Sequence, residues 1–325
     1  MTESTGHGSQ PSPVVDAPGP SGVLVLGMHR SGTSAVTRLV NLLGPSTCVD
    51  EDLLMGTETN TKGHWESKSL YEFNERLLAD MGCTWWHPPT RDVLARWERG
   101  LDGARFDEAG ALFERAHPSG PWVWKDPRTC VTLSFWRRVL VGPVCGIVVF
   151  RNPLDVARSL EHRDYIQSEL GLALWMRYSR LLLEQSRGMP VMVSYYDDIL
   201  EDPETFSEGV RAFLADLGMA VAPDIDRSAA REFIDPSLRH SAHDLTDLGP
   251  TAELIDIMRG LTGVHPSFAP PELGPEPPWV EEQFQAYGPE WHASWKVHEV
   301  HPPIRPLTRT QRLRALVRRA VPVGR

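Results

Sequence analysis

Cysteine is scarce in this sequence, and long hydrophobic runs are absent. Four cysteines occur among 325 residues, far apart in the chain, and no two form a C-x-x-C pair. This spacing argues against a zinc site and against a disulfide framework, and it is typical of buried cysteines in a cytoplasmic protein. The longest apolar stretches, such as residues 146–150, have the length of a strand, so the sequence predicts no transmembrane segment.

Lysine is also scarce, and the net charge is negative. Of the 33 basic residues only four are lysines, so a lysine here marks a position that favours an ammonium group. They are Lys62, Lys68, Lys125 and Lys296. The formal net charge of −10 argues against a general nucleic-acid-binding protein, because affinity for the phosphate backbone requires an excess of cations. Any anion-binding site is therefore expected to be local.

The two ends of the chain differ in composition from the middle. Residues 1–21 are rich in Gly, Ser and Pro and lack the apolar stretch of a signal peptide, which predicts a disordered tail. At the other end, residues 264–325 form a predicted extension that begins with a proline-rich connector. Three tryptophans in this extension predict that part of it docks on the core: Trp279, Trp291 and Trp295.

The last 21 residues, 305–325, contain seven arginines with apolar residues at helical spacing. They predict a docked or frayed terminal helix, with a helix lying on a membrane surface as the alternative. The remaining residues, 22–263, are expected to form one α/β domain.

Short apolar runs alternate with helical patterns through this domain. The predicted strands are Val23–Leu26, Trp122–Trp124, Gly146–Phe150 and Val191–Tyr195. The predicted helices are Ser34–Leu43, Ser67–Met81, Thr129–Leu140, Gln167–Arg187 and one that follows Asp202 and runs to Gly218. Apolar runs without strict alternation are typical of parallel strands that are covered on both faces. The sequence therefore predicts a three-layer, P-loop-like α/β fold with a mainly parallel sheet, whose ligands bind at the carboxyl ends of the strands.

The first predicted strand leads into a glycine-rich loop. Its residues are Gly27, Met28, His29, Arg30, Ser31, Gly32, Thr33 and Ser34. The two glycines bracket four residues, as in a phosphate-binding G-x-x-x-x-G-K-[ST] loop, but Thr33 stands where a nucleotide triphosphatase has its lysine. Backbone N–H groups and the following helix N-terminus would still hold an anion. The loop is therefore expected to bind a phosphate group without hydrolysing ATP or GTP.

A second anion site follows the third predicted strand. Arg151 ends the strand, Asn152 is a good helix N-cap, and Pro153 suits the first helical turn. Ser159 lies two turns further along, on the same side of the helix as Asn152. Together the two sites describe a ligand with two separate phosphates.

The two motifs, at this spacing, resemble those of sulfotransferases that use 3′-phosphoadenosine 5′-phosphosulfate (PAPS). The resemblance covers roughly residues 22–240. It implies that the Gly27–Ser34 loop holds the 5′-phosphosulfate, and that Arg151 and Ser159 hold the 3′-phosphate. Tyr196, in a Tyr-Asp-Asp-Ile-Leu segment similar to one of the family, would lie against the adenine.

Two cations are candidates for stabilising the sulfuryl group in transit. Arg30 lies in the loop, and Lys125 lies in a Lys-Asp-Pro-Arg segment at the end of the second predicted strand. The segment resembles the K-D-P of tyrosylprotein sulfotransferases, whose lysine approaches the transferred group. The alternative for Lys125 is a salt bridge with Asp126 or a neighbour. Asp126 and Arg128 are equally suited to be structural partners that orient the loop.

The general base is less well determined by the sequence. Glu66, in a Lys-Gly-His-Trp-Glu segment that resembles a bacterial branch of the family, is the first candidate. His64 in the same segment is the second, and Glu51 is the third. No histidines have a convincing metal-binding spacing, so no metal is expected.

The acceptor is open at this stage. Four residues are candidates for an aromatic acceptor pocket: Trp65, Trp85, Trp86 and His87. Tryptophans at this density more often belong to the core. The segment Ser237–Ser241 is a candidate cover. The expected acceptor is a small molecule, a carbohydrate or a peptide, and the sequence leaves the oligomeric state open. Two other function classes share the first loop: a P-loop kinase, which would require Mg²⁺, and a non-catalytic nucleotide-binding module.

Overall fold

A computed structural model of the chain describes residues 21–54, 64–223 and 251–287. Its five strands form one sheet in the order β2-β1-β3-β4-β5. They are β1 Gly22–Leu26, β2 Trp122–Lys125, β3 Val144–Phe150, β4 Val191–Tyr195 and β5 Gly263–His265. The first four are mutually parallel and confirm the four strands predicted from the apolar runs. The short edge strand β5 is antiparallel to β4 and is not predicted from the sequence.

Eleven α-helices occur in the described part of the chain. They are α1 Thr33–Leu42, α2 Lys68–Asp80, α3 Arg91–Arg99, α4 Gly103–Ala116, α5 Thr129–Val139, α6 Pro153–Asp164, α7 Ser168–Gln185, α8 Tyr196–Glu201, α9 Pro203–Asp216, α10 Ala252–Gly260 and α11 Pro278–Ala286. The predicted helices are confirmed to within two residues at each end. Helices α3, α4, α8, α10 and α11 are not predicted from the sequence. For α3 and α4 a local signal exists, since Thr90 and Asp102 accept N-cap hydrogen bonds at their starts.

The strands alternate between two hydrophobic layers, which confirms the three-layer α/β class. In β1, Val23 and Val25 pack into one layer with helices α1 and α9. Leu24 and Leu26 face the other layer, which contains the side chains of α2, α5 and α7. Because both faces are covered, every residue of β1 is buried.

The strand register brings four chain segments to one edge of the sheet. Val25 pairs with Lys125, and Leu26 pairs with Val148. Phe150 pairs with Tyr195 on the next strand. The segments that follow β1, β2, β3 and β4 therefore emerge at the same carboxyl edge. The chain passes from β1 to β2 on one side and then to β3 on the other, so this edge contains the topological switch point where ligands bind in such sheets.

Residues 266–277 form no helix or strand and lead to α11, which packs on α7. Val280 and Phe284 of α11 are buried in the same cluster as α7, and Trp279 packs against that cluster, as expected for a docked segment. The segments 1–20, 237–241 and 305–325, with Trp291 and Trp295, lie outside the described residues. Within the described ranges, no helix is long and apolar enough to cross a membrane.

Three arginines, two on α7 and one just after it, hold the segment 270–281. Arg177 is buried, and its guanidinium donates to Glu276 at 3.1 Å and to Glu281 at 2.8 Å. Arg180 donates to the carbonyl of Gly274, and Arg187 donates to the carbonyl of Pro270 at 2.9 Å. These contacts explain why a proline-rich segment with few backbone donors follows the helix closely.

Candidate functional site

The loop between β1 and α1 is shaped by its two glycines. Gly32 caps α1 with a φ of 89°, in the left-handed region that favours glycine. A Cβ atom at Gly32 would lie 2.0 Å from the ring of Tyr196, and one at Gly27 would lie 2.4 Å from the carbonyl oxygen of Val149. Both positions therefore exclude any side chain. Arg30 also has a positive φ, 68°, which directs its side chain away from the β1 axis and towards α6.

The N-terminus of α1 is available for an anion. Gly32 has no side chain, and no other described side chain caps the helix. The Gly32 carbonyl accepts from the N–H groups of Ala35 and Val36. The N–H groups of Thr33 and Ser34, in the first turn, have no helical acceptor. They add donors and the partial positive charge of the helix end to the loop.

Arg30 joins the loop to the second predicted anion site. Its Nε donates to the Ser159 hydroxyl at 2.7 Å, and its carbonyl accepts from Arg151 at 3.4 Å. The Arg151 guanidinium lies 5.2 Å from the centre of the Tyr196 ring, the same ring that contacts Gly32. Asn152 caps α6 as predicted, since its side chain accepts from Leu154 N–H at 2.9 Å. The structure thus brings the two motifs into direct contact across 129 residues of sequence.

Among the cations at this edge, Arg30 has no carboxylate partner within 4 Å in the described ranges. Lys125 is paired with Glu66, and Arg151 Nε lies 3.8 Å from the carboxylate of Asp155. Burial is the main reason that the pKa of Arg30 is lowered to about 10, and the nearby charge of Arg163 contributes. At neutral pH Arg30 remains charged, so its side chain is a cation that an anionic ligand would neutralise.

Lys125, Glu66, Ser34 and His64 meet at the start of α1. The Lys125 ammonium contacts the Glu66 carboxylate and donates to Ser34 Oγ at 3.2 Å. Ser34 Oγ in turn donates to the His64 carbonyl at 3.3 Å. Lys125 and Glu66 are both buried. Lys125 therefore forms a salt bridge, but its partner is Glu66, the first candidate base, whereas Asp126 pairs with Arg128.

Glu66 is positioned by the N-terminus of α2. Its carbonyl accepts from Leu54 N–H at 2.8 Å, and the next residue, Ser67, caps α2. Asp52 binds that cap, since it accepts from Ser67 and from Ser69 N–H at 2.9 Å. Glu51, the third candidate base, lies beside Asp52 on a short 3-10 turn and is exposed.

Asp126 and Arg128 form a buried network that supports the end of β2. Asp126 accepts from Asn74 at 2.8 Å and from the backbone N–H of Arg128 at 2.9 Å. The Arg128 guanidinium also pairs with Glu75 and lies over the ring of Tyr71 at 4.2 Å. This is the structural alternative that the sequence left open for the two residues. Their α2 partners could not be found from the sequence, because the pairs are more than 50 residues apart.

Two histidines at the site are neutral at pH 7. His29 is buried, with its ring 4.7 Å from that of Trp85 and 5.9 Å from that of Tyr178, and burial lowers its pKa well below the usual value. Burial is also the main reason that the pKa of His64 is lowered to about 4. Three nearby cations contribute to this shift: Lys125, Arg163 and Arg30. A neutral imidazole can accept a proton, so His64 keeps the chemical capacity of a base.

The four residues considered for an aromatic pocket lie in different surroundings. Trp85 contacts His29 of the loop, while Trp86 is buried in the core. His87 meets the edge of Phe284 on α11 at 5.4 Å, and Trp65 lies under the guanidinium of Arg38 at 5.0 Å. The Trp85 ring therefore packs against a residue of the loop.

Gly32→Ala is expected to destabilise the protein by about 1–3 kcal/mol, because the new Cβ meets the Tyr196 ring and the backbone has a positive φ. Thermal unfolding measures the effect. Gly110→Ala is a matched control, since Gly110 lies inside α4 with no atom within 4 Å of the added Cβ, and alanine is favoured there by about 0.5–1 kcal/mol. Equal melting temperatures for Gly32→Ala and the unmodified protein would show that the loop accommodates a side chain.

No model of a known protein family matches the sequence, and no curated protein matches it. Solved structures do match. The sulfotransferase domain of the olefin synthase from Synechococcus PCC 7002 is 17% identical, with a TM-score of 0.38, over 84% of this chain and 96% of that one. The sulfotransferase domain from the curacin biosynthetic pathway is 14% identical, with a TM-score of 0.39, over 82% and 96%.

The sulfotransferase STF1 from Mycobacterium tuberculosis H37Rv is 16% identical, with a TM-score of 0.37, over 75% of this chain and 77% of that one. All three are sulfotransferases, the family that the motifs resemble. The similarity is too low to assign an activity to this chain.

Proposed function

We propose that the chain is a sulfotransferase that moves the sulfuryl group of PAPS to a hydroxyl or amine of a small-molecule, carbohydrate or peptide acceptor. The observation that carries the proposal is the contact of Arg30 with Ser159. It places a glycine-rich anion loop and a second capped helix side by side at the switch point of the sheet. A donor with two separate anionic groups fits this arrangement, whereas a nucleoside triphosphate would require the lysine that Thr33 replaces.

The residues present fit the 5′ end of such a donor. The helix N-terminus at Gly32 has no side-chain cap among the described residues, so the N–H groups of the first turn of α1 can donate to a phosphosulfate oxygen. Arg30 lacks a carboxylate partner within 4 Å in the described ranges. The loop residues Gly27, His29, Arg30, Ser31, Gly32, Thr33 and Ser34 would hold the 5′-phosphosulfate.

The residues after β3 fit the 3′-phosphate. Arg151 Nε is buried and has no hydrogen-bond partner in the described part of the chain. Ser159 accepts from Arg30, which leaves its hydroxyl hydrogen for a phosphate oxygen. Arg151 and Ser159 would therefore bind the phosphate, and Tyr196, whose ring lies beside Gly32, would contact the adenine.

PAPS supplies the sulfuryl group together with a bisphosphate leaving group. Negative charge then develops on the bridging oxygen, where prearranged cations and N–H donors stabilise it. Arg30 and Lys125 are these cations. Ser34 Oγ accepts from Lys125 at 3.2 Å, and this contact orients the ammonium towards the first turn of α1.

Glu66 would take the proton of the acceptor. Its carboxylate contacts Lys125, so the proposed base would lie next to the cation proposed to stabilise the sulfuryl group. His64 is the second candidate, since it is neutral and lies on the same short segment.

The donor site predicts that adenosine 3′,5′-bisphosphate (PAP) binds roughly tenfold to a hundredfold more tightly than 5′-AMP, because charge-assisted hydrogen bonds are worth about 1.5–3 kcal/mol. The test is the rise in melting temperature that each of the two ligands causes. Arg151→Ala is expected to remove the difference, and Arg158→Ala, an exposed position on the same helix, is expected to keep it. Equal stabilisation of the unmodified protein by PAP and 5′-AMP would contradict the second phosphate site.

A further inference from the structure

The residues just before Glu66 are held on one face of α1. Ser34 and Arg38 lie four residues apart on that helix, so their side chains are neighbours on the same face. Ser34 Oγ donates to the carbonyl of His64 at 3.3 Å. One turn further along, the guanidinium of Arg38 lies over the Trp65 ring, 5.0 Å from its centre. Two successive turns of α1 therefore contact two successive residues of the segment.

The side chain of Arg38 is itself held in place. Its Nη1 donates to the side-chain oxygen of Asn41, and Asn41 Nδ2 donates to the carbonyl of Pro45 at 3.0 Å. Arg38 is also half-buried. A cation that is partly removed from water attracts an aromatic face more strongly than an exposed one. The guanidinium therefore presents one face to Trp65 in a fixed geometry.

The backbone at Trp65 depends on such contacts. Its φ of 57° lies in the left-handed region, which is unfavourable for a residue with a bulky side chain and persists where the surroundings determine it. After this residue, Leu54 N–H donates to the Glu66 carbonyl at 2.8 Å. At the residue itself, Arg38 contacts the ring. This turn of the backbone sets the direction of the next side chain, whose carboxylate contacts Lys125.

We propose that Arg38 is a positioning residue for the transfer reaction, which acts through Trp65 to keep the Glu66 carboxylate at the reacting end of the site. The inference rests on the proposed function, in which Glu66 takes the proton of the acceptor. Misplacing a reacting group by about 1 Å can cost about a hundredfold in rate. A contact that fixes this turn therefore affects the transfer step, whereas the binding of the donor depends on the loop and on Arg151.

The test is the kinetics of Arg38→Gln with labelled PAPS and the best acceptor found in an acceptor screen. We expect kcat to fall roughly tenfold to a hundredfold, while KM for PAPS and the stabilisation by PAP stay unchanged. Arg38→Lys keeps a cation over the ring and is expected to recover most of the rate. Arg138→Gln is the matched control, because Arg138 also lies over an aromatic ring, that of Phe106 at 4.2 Å, but near the end of α5 that is remote from the site.

A second background separates positioning from a general loss of packing. If Arg38 acts through the base, adding Arg38→Gln to Glu66→Gln causes no further loss of kcat, whereas a general effect on the fold lowers the rate again. An unchanged kcat in Arg38→Gln, or a further loss in the double variant, would overturn the inference. A higher KM for the acceptor at unchanged kcat would also overturn it, because Arg38 and Trp65 would then belong to the acceptor pocket.

The ring side of the contact gives an independent test if Arg38→Gln fails to fold. Trp65→Leu is expected to lower kcat, and Trp65→Phe, which keeps an aromatic face, is expected to retain most of it. Equal rates in these two variants would count against the inference. Failure of the proposed function is recognised separately in the unmodified protein, by the absence of transfer or by equal stabilisation with PAP and 5′-AMP.

Discussion

Glu66→Gln is expected to lower the rate of sulfuryl transfer about 10²- to 10⁴-fold, the usual contribution of a general base. Glutamine keeps the shape of the side chain, and its amide oxygen can still accept from Lys125, but it cannot take a proton. The stabilisation of the protein by PAP is expected to persist. The transfer rate is measured as the initial rate with labelled PAPS and the best acceptor found in an acceptor screen. The stabilisation by PAP is measured as the rise in melting temperature.

The matched control is Glu72→Gln, because Glu72 is an exposed carboxylate on α2. If Glu66→Gln retains the rate of the control, the base is elsewhere and His64→Asn and Glu51→Gln are the next variants. Loss of transfer in one of these two variants, with the stabilisation by PAP retained, identifies the base. A base with the lowered pKa of His64 gives an acid limb near pH 4, where the imidazole becomes protonated and inactive.

Lys125→Met is expected to lower the transfer rate about 10²- to 10³-fold, the typical cost of removing one prearranged donor from a developing negative charge. Methionine has a similar length and no charge. The same change leaves the Glu66 carboxylate buried without its partner, so the variant is also expected to be less stable. Lys68→Met is the control, since Lys68 is exposed.

The double variant Lys125→Met/Glu66→Gln separates catalysis from stability. It removes both charges of the pair and is expected to recover much of the melting temperature without recovering the rate. A single Lys125→Met variant that is destabilised but transfers sulfate at the control rate would show that Lys125 is only the structural partner of Glu66.

Local sequence patterns predicted the parts of the site that are built from adjacent residues. The run Val23–Leu26 followed by Gly27 predicts a buried strand that ends in an anion-binding loop. In the structure, close contacts at Gly27 and Gly32 require glycine at both positions. Asn152 and Pro153 predict the start of α6 for the same local reason, the capping of free N–H groups. In each case the signal lies within about ten residues.

Contacts between distant residues were not predictable in this way. Nothing in the sequence pairs Asn74 with Asp126, because a buried carboxylate is satisfied only when the fold brings its partner. The three-residue strand β5, which begins at Gly263, is too short to give a periodic pattern.

The ion pairs of Arg177 on α7 form late in protein synthesis. The carboxylates that neutralise Arg177 come 99 and 104 residues later in the chain. At about 5–20 residues per second, the ribosome completes this partner segment roughly 5–20 s after Arg177. Until then the guanidinium remains hydrated and the surface that receives Phe284 stays open to solvent. The nascent chain therefore exposes an apolar face of α7 that a chaperone would encounter before the last layer of the core closes.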